Sequence, residues 1–235
     1  MKNSRNPTFS IILIESALEC IKFRSKNKRI LKKLQNKKNK PLEEIILDVS
    51  IHSHLMQNLP EKNKRGRPDI IHNSLLLALG SRLNKEGRLN FFVHTRNNEI
   101  ITFNPAVRIP RNYNRFIGLM QQLFKVKNIP PHSPQTLISL IPQSLEDFLH
   151  ILNPDCILLF TEKGTRFNDN HLKKIISENN NIVALIGGFP HGDFSQNVFN
   201  FPTFKVSIYL DALDTLQVVS YMIHIAEQSM KFDAT

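Results

Sequence analysis

Residues 64–72 read Lys64-Arg65-Gly66-Arg67-Pro68-Asp69-Ile70-Ile71-His72, three cations and one carboxylate at the start of an apolar helical stripe. A second stretch, Arg108-Ile109-Pro110-Arg111-Asn112-Tyr113-Asn114-Arg115-Phe116, repeats the pattern. Proline suits a first helical turn because its missing N–H would be unpaired there anyway. Each proline therefore sets its arginines beside a helix N-terminus, where anions are favoured and guanidinium forks match phosphate oxygens. Arg111 and Arg115, four apart, are expected on one face of the helix that Pro110 starts, with Arg108 extended towards the same end. Cations there oppose the helix dipole, so stability alone would not select them. The pattern points to a site for a polyanion.

Asp69 keeps three readings open: a helix-start residue favoured by the dipole, a bidentate partner that orients Arg67, and a general base. Among several arginines a carboxylate is a weak proton acceptor, so orientation is preferred to proton transfer. Gly187 and Gly188 close the apolar run 182–186, and Gly192 follows after Phe189-Pro190-His191. Glycines there let a backbone approach a ligand, and a Cβ at Gly187 or Gly188 is expected to collide with it or strain the turn. Open α/β sheets bind ligands at the carboxyl ends of their strands. Thr161 with Gly164, and the run from Lys205 to Leu210, occupy corresponding strand ends.

The elements that position these residues follow from periodicity. Residues 9–14 read as a buried strand followed by a short helix, and 44–48 as a second strand entering a helix over 52–59. Ile70, Ile71, Leu75, Leu76 and Leu79 recur at helical spacing before Gly80. Runs 89–94 and 100–103, separated by Asn97-Asn98, read as a hairpin. Phe116, Leu119, Met120 and Leu123 form a helical stripe and a candidate interface component. Runs 156–160, 182–186 and 206–208 alternate with helical segments, as in a parallel α/β sheet, and a last helix is expected over 212–230.

With 235 residues, 41% of them hydrophobic, the chain can bury a sizeable core and is expected to form a single domain, 1–235. The net charge of +11 is lopsided: residues 1–124 hold 23 Lys/Arg against 9 Asp/Glu, and residues 125–235 hold 8 against 11. The N-terminal half is therefore the one expected to face nucleic acid. Ten cations and no acid lie in 22–40, a basic insertion or linker read as a solvated segment and as an auxiliary arm for RNA. No apolar run approaches the roughly 20 residues of a membrane helix, and the run at 9–14 is too short for a signal segment. Cys20 and Cys156 are far apart, and nine histidines show no ligand spacing, so reduced thiols and no metal are expected.

These stretches also carry a resemblance. Together with Leu47-Asp48-Val49-Ser50-Ile51-His52, Arg88-Leu89 through His94-Thr95, and Ile186-Gly187-Gly188-Phe189-Pro190-His191-Gly192, they resemble the ribosome-biogenesis pseudouridine N1-methyltransferases. That family belongs to the knotted SPOUT class of S-adenosylmethionine-dependent enzymes. The similarity runs from about Leu42 to about Leu210 in the family's order. It implies an α/β fold of SPOUT type, a mostly parallel sheet flanked by helices with a C-terminal trefoil knot. It implies methylation of N1 of a pseudouridine in small-subunit ribosomal RNA, with S-adenosylhomocysteine as product, by a homodimer. Arg67, Arg108, Arg111 and Arg115 match residues that contact the RNA. Thr161, Gly164, Gly187, Gly188, Gly192, Lys205, Val206, Ser207, Ile208, Tyr209 and Leu210 fall on the three segments that form the cofactor pocket.

The chain lacks tryptophan, so any ring against the adenine must be another residue. The other reading is a non-catalytic assembly factor binding the same RNA. No membrane association is expected. An archaeal-type cytoplasm is expected from the Asn- and Lys-rich composition, or a nucleolus in a eukaryote.

Overall fold

The structure is a computed structural model that describes residues 8–21, 41–230 and 232. Strand β1 (Thr8–Ser16) is buried along nearly all its length. Phe9, Ile11 and Leu13 join one apolar cluster and Ile12 and Ile14 another, because successive side chains of a strand point to opposite faces. A strand apolar on both faces belongs in the middle of a covered parallel sheet. β1 sits there, parallel to β2 (Leu89–Thr95) on one side and to β7 (Asn181–Gly187) on the other. β6 (Cys156–Arg166) and β8 (Phe204–Ser207) extend the parallel half. Past β2 the sheet turns antiparallel through β3 (Glu99–Phe103), β5 (Ile138–Pro142) and β4 (Asn128–Ile129). The order is β4-β5-β3-β2-β1-β7-β6-β8.

Helices cover both faces. Helices α2 (Pro68–Gly80), α4 (Tyr113–Val126), α6 (Asp169–Glu178) and α8 (Thr215–Ser229) pack with the larger cluster. Helices α5 (Leu145–Leu152) and α7 (Gln196–Phe199) close the other side through Leu145, Phe148, Leu149 and Val198. Helices α1 (Val49–Met56) and α3 (Arg82–Lys85) complete the set among the described residues.

The expected hairpin is β2–β3, with Asn98 in the left-handed conformation at its turn. Other elements depart from expectation. Residues 17–21 form no helix; Cys20 instead makes a bridge to Ile46. The segment expected as a strand over 44–48 begins as a 3-10 turn, Leu42–Glu44. The following helix starts at Val49 and ends at Met56, because Asp48 caps it, accepting from Ser50 N at 2.9 Å. The last helix starts at Thr215, three residues later than the apolar pattern suggests. The basic segment 22–40 lies outside the described residues.

β6 runs beyond the apolar stretch that marks it in sequence. Leu158, Leu159 and Phe160 pair with Phe204, Lys205 and Val206; then Thr165 and Arg166 pair with Val206 and Ser207. Val206 thus meets β6 twice, with residues 161–164 between the two contacts. Gly164 comes so near that a Cβ there would sit 2.6 Å from the Lys205 carbonyl.

Candidate functional site

The middle of β6, at residues 160–162, and the carboxyl ends of β7 and β8 open onto one cavity of about 210 Å³. Thr161, Gly187 and Gly192 line it, as do Val206, Ser207, Ile208 and Tyr209. The residues expected at this site therefore converge, apart from Gly164, Gly188, Lys205 and Leu210, which are not among its lining. The Thr215 hydroxyl donates to the Gly187 carbonyl at 2.6 Å, fixing the head of α8 against the glycine turn. Phe189 and Phe194, 5.4 Å apart and edge to face, also line the cavity and are aromatic residues in a chain without tryptophan.

The two glycines of the turn do different work. A Cβ on Gly187 would lie 3.1 Å from the Phe189 ring, on the cavity side. A Cβ on Gly188 would lie 2.3 Å from Ser16 Oγ. Gly188 also donates to the Ile14 carbonyl and accepts from Ala17 N, extending the pairing with β1. Its missing side chain thus lets two backbones meet, contrary to the expectation of a ligand there.

The stretch 64–69 holds its charges differently from the open cationic cluster that its composition suggests. Lys64 is buried, 7% exposed, and its ammonium lies 3.3 Å from Glu15 Oε2 and 3.1 Å from Glu61 Oε1. It also sits 5.0 Å over the Phe189 ring. Glu15 accepts from Ser195 N at 3.0 Å, so a buried pair ties β1 to both ends of the glycine loop. Arg65 is turned inward to Glu19 at 3.4 Å. A buried lysine reads in sequence like any other cation, and only its carboxylate partner far along the chain distinguishes it.

Arg67, by contrast, is half-exposed and gives Asp69 two parallel hydrogen bonds of 2.8 Å, from Nε and Nη2. That pair raises the guanidinium's affinity for its proton, with Asp214 at the head of α8 contributing. Pro68 opens α2 as expected, with Asp69 in its first turn. Pro110 does not open α4: Asn112 caps it, its side chain accepting from Arg115 N at 3.1 Å. A side-chain cap satisfies an unpaired helical N–H, which proline cannot do, so the helix begins two residues after Arg111. Arg111 therefore does not share a helix face with Arg115. It lines a groove with Leu76, Leu77 and Leu216, while Arg108 and Arg115 are exposed. His72 Nε2 donates to the Pro110 carbonyl at 2.7 Å and the ring stacks on Phe116, holding the two arginine stretches together.

Phe116, Met120 and Leu123 are wholly buried in the core, which leaves the half-buried Leu119 as the member of that stripe able to meet a partner. Two polar residues beside the arginines carry no chemical signal in the sequence. Tyr113 donates to Asp48 at 2.5 Å; burial and this bond hold the phenol protonated well above its ordinary range. Burial pushes the Asp48 carboxyl up, but bonds from Ser50 and Tyr113 outweigh it and keep it below the usual value.

His94 supplies a pH dependence. Burial lowers its affinity for a proton, while Asn98 and the nearby Glu15 act in the opposite sense. Its Nδ1 accepts from Glu15 N at 3.4 Å, which requires a neutral ring. As pH falls below about 6.5 the unfolded chain takes up a proton that the folded chain refuses, so stability falls. Urea titrations between pH 7 and 5 should show a shallower pH slope for His94→Gln than for the wild type. Equal slopes would contradict this role.

Among the described residues no helix is long and apolar enough to cross a membrane, and no group of three or more His, Cys, Asp or Glu could hold a metal ion. The sequence profile described as EMG1/NEP1 methyltransferase matches residues 11–227. The chain is 44% identical over 226 residues to the ribosomal RNA small subunit methyltransferase Nep1 of Staphylothermus marinus, covering 96% of this chain and 97% of that one. It is 41% identical over 189 residues to the Nep1 of Pyrococcus furiosus, covering 80% and 82%. Archaeoglobus fulgidus Nep1, solved bound to S-adenosylhomocysteine, superposes with a TM-score of 0.82 at 34% identity, covering 96% of this chain and 99% of that one. A strand-end pocket behind a glycine turn, on a SPOUT-type sheet matched over almost its whole length, goes with a profile match of the same extent: the chain belongs to the EMG1/NEP1 methyltransferase family.

Proposed function

We propose that this chain transfers a methyl group from S-adenosylmethionine to N1 of a pseudouridine in small-subunit ribosomal RNA, as part of ribosome biogenesis. The observation that supports this most directly is that Pro190 and His191, in the wall of the strand-end pocket, also line the space bordered by Arg67 on their other side. The relatives' activity on small-subunit ribosomal RNA and the S-adenosylhomocysteine held by the Archaeoglobus protein support this reading. The pocket residues suit the cofactor. Gly187 leaves room for a close approach, Val206, Ile208 and Val218 are apolar, and Phe189 and Phe194 supply rings.

Bound there, S-adenosylmethionine supplies an activated methyl group. The chain's own residues then need to align, exclude water and release one ring proton. Asp69, with both oxygens engaged by Arg67, is a positioning residue in this scheme. Arg67, Arg108, Arg111 and Arg115 hold the RNA phosphates. Thr161, Gly187, Gly192 and the residues from Val206 to Tyr209 surround the donor. The double contact of Val206 with β6, and the passage of Gly164 over Lys205, support a trefoil knot at β8. A homodimer forms over the exposed apolar surface around Leu77 and Leu216, whose groove also contains Arg111. The proposed setting is an archaeal-type cytoplasm.

Calorimetry with S-adenosylhomocysteine, followed by mass mapping of a pseudouridine-containing loop RNA and its uridine counterpart, tests the reading. Methylation of the first alone is expected; a folded protein that binds no product at millimolar concentration would leave the assembly factor standing. Arg67→Ala should weaken RNA binding by about 1–3 kcal/mol, the range of charge-assisted contacts, with product affinity intact. Unchanged RNA affinity would remove Arg67 from the site.

A further inference from the structure

On the other side of the glycine loop lies a second cavity, of about 490 Å³. Pro190 and His191 line both cavities and form a common wall. Val49 and Ser53 of α1, and Gln57 at its C-cap, recur every four residues and face it. His54 and Asn63 add further polar groups, and Lys62, Arg65 and Arg67 supply cations. Arg65 gives Nη1 to Glu19, and its Nε has no hydrogen-bond partner among the described residues.

The common wall is fixed on both flanks. Phe189 lies under the Lys64 ammonium, the Lys64 stem passes beside Gly192, and Ser195 is bonded to Glu15. The spacing between the two cavities is therefore set by a buried ion pair rather than by a free loop.

This lining differs from a surface that only neutralises phosphate. Amide, hydroxyl and imidazole groups offer donors and acceptors to the edge of an unpaired base, and Pro190 and His191 offer faces for its ring. We infer that the cavity holds the nucleobase next to the methylated nucleotide in the RNA strand, and that Ser53, His54, Gln57 and Asn63 read its identity; this rests on the RNA-methyltransferase reading above. A loop that extrudes one base towards the donor pocket presents its neighbour one nucleotide away, and the wall supplies the divider between them.

The probe is the loop RNA that the protein methylates, with each nucleotide in turn made abasic, bound to the full chain loaded with S-adenosylhomocysteine. The wild type should lose about tenfold in affinity at one position flanking the methylated nucleotide, as expected for one lost stacking and hydrogen-bonding base. In the triple variant His54→Ala, Gln57→Ala, Asn63→Ala that penalty should shrink to about twofold or less. Its salt dependence should be unchanged, since the phosphate contacts remain. All three side chains are exposed, so an unchanged melting temperature should accompany the result. A flat abasic profile in the wild type, or a penalty undiminished in the variant, overturns the inference and leaves methyl transfer standing. A uniform loss with a shallower salt slope means phosphate contacts alone and also overturns it. Failure of the wild type to bind the product sinks both.

Discussion

Lys64→Met is expected to destabilise the protein by about 3–5 kcal/mol, the range for removing one partner of a buried ion pair. Both side chains are enclosed, with 8% of Lys64 and 10% of Glu15 exposed. Methionine fills most of the lysine's volume and leaves the Glu15 carboxylate with the Ser195 N–H as its remaining donor among these contacts. The glycine loop should loosen as well, since Lys64 stands over Phe189 and along Gly192. Adding Glu15→Gln removes the stranded charge and should recover much of the loss. Urea unfolding of the wild type, both single variants and the double variant measures the coupling. A loss below about 1 kcal/mol for Lys64→Met would mean that the pair behaves as an exposed one.

The second large effect belongs to Gly164. An alanine there places its Cβ 2.6 Å from the Lys205 carbonyl carbon and oxygen and from Val206 N. These are backbone atoms of a paired strand, so no rotamer change relieves the clash. Either β8 or the return of β6 must move, at a cost of about 1–3 kcal/mol or more. Val206 and Ser207 line the strand-end pocket, so product binding should fall along with the melting temperature. Gly118→Ala is the control, because nothing lies within 4 Å of a Cβ there and the position is inside α4. That change should stabilise by about 0.5–1 kcal/mol through helix propensity. A Gly164→Ala protein that melts and binds like the wild type would refute the close passage at β8.

What the sequence disclosed divides along the range of the interactions involved. Pro68 and the apolar spacing behind it place α2 correctly, because both signals act within one helix. Pro110 misleads because Asn112, a better start signal, lies two residues on. Gly187 and Gly188 look alike in the chain, yet one borders the pocket and the other admits Ser16, more than 170 positions away in sequence. Lys64 and Arg67 look equally available to a phosphate, and Glu15 draws only the first inward. Of the cofactor segments, the strand ends were legible from short apolar runs followed by glycine or polar residues. The exclusion of Gly164 depends on how the return of β6 passes Lys205 of β8, and that of Gly188 on its packing against Ser16 of β1, which no local pattern records.

The central place of β1 also bears on how the chain acquires its structure during synthesis. β1 is the first described strand to leave the ribosome, but the side chains of Thr8 and Asn181, paired across β1 and β7, are 173 positions apart. At roughly 5–20 residues per second, that partner emerges on the order of 10–35 s later. Throughout this interval Phe9, Ile11, Ile12, Leu13 and Ile14 lack the neighbour that covers one edge of their strand. Such an apolar strand with an open edge is a target for pairing with another chain. Its long-range closure also places the protein among slow folders. The nascent polypeptide is therefore expected to depend on chaperone cover until β7 is complete.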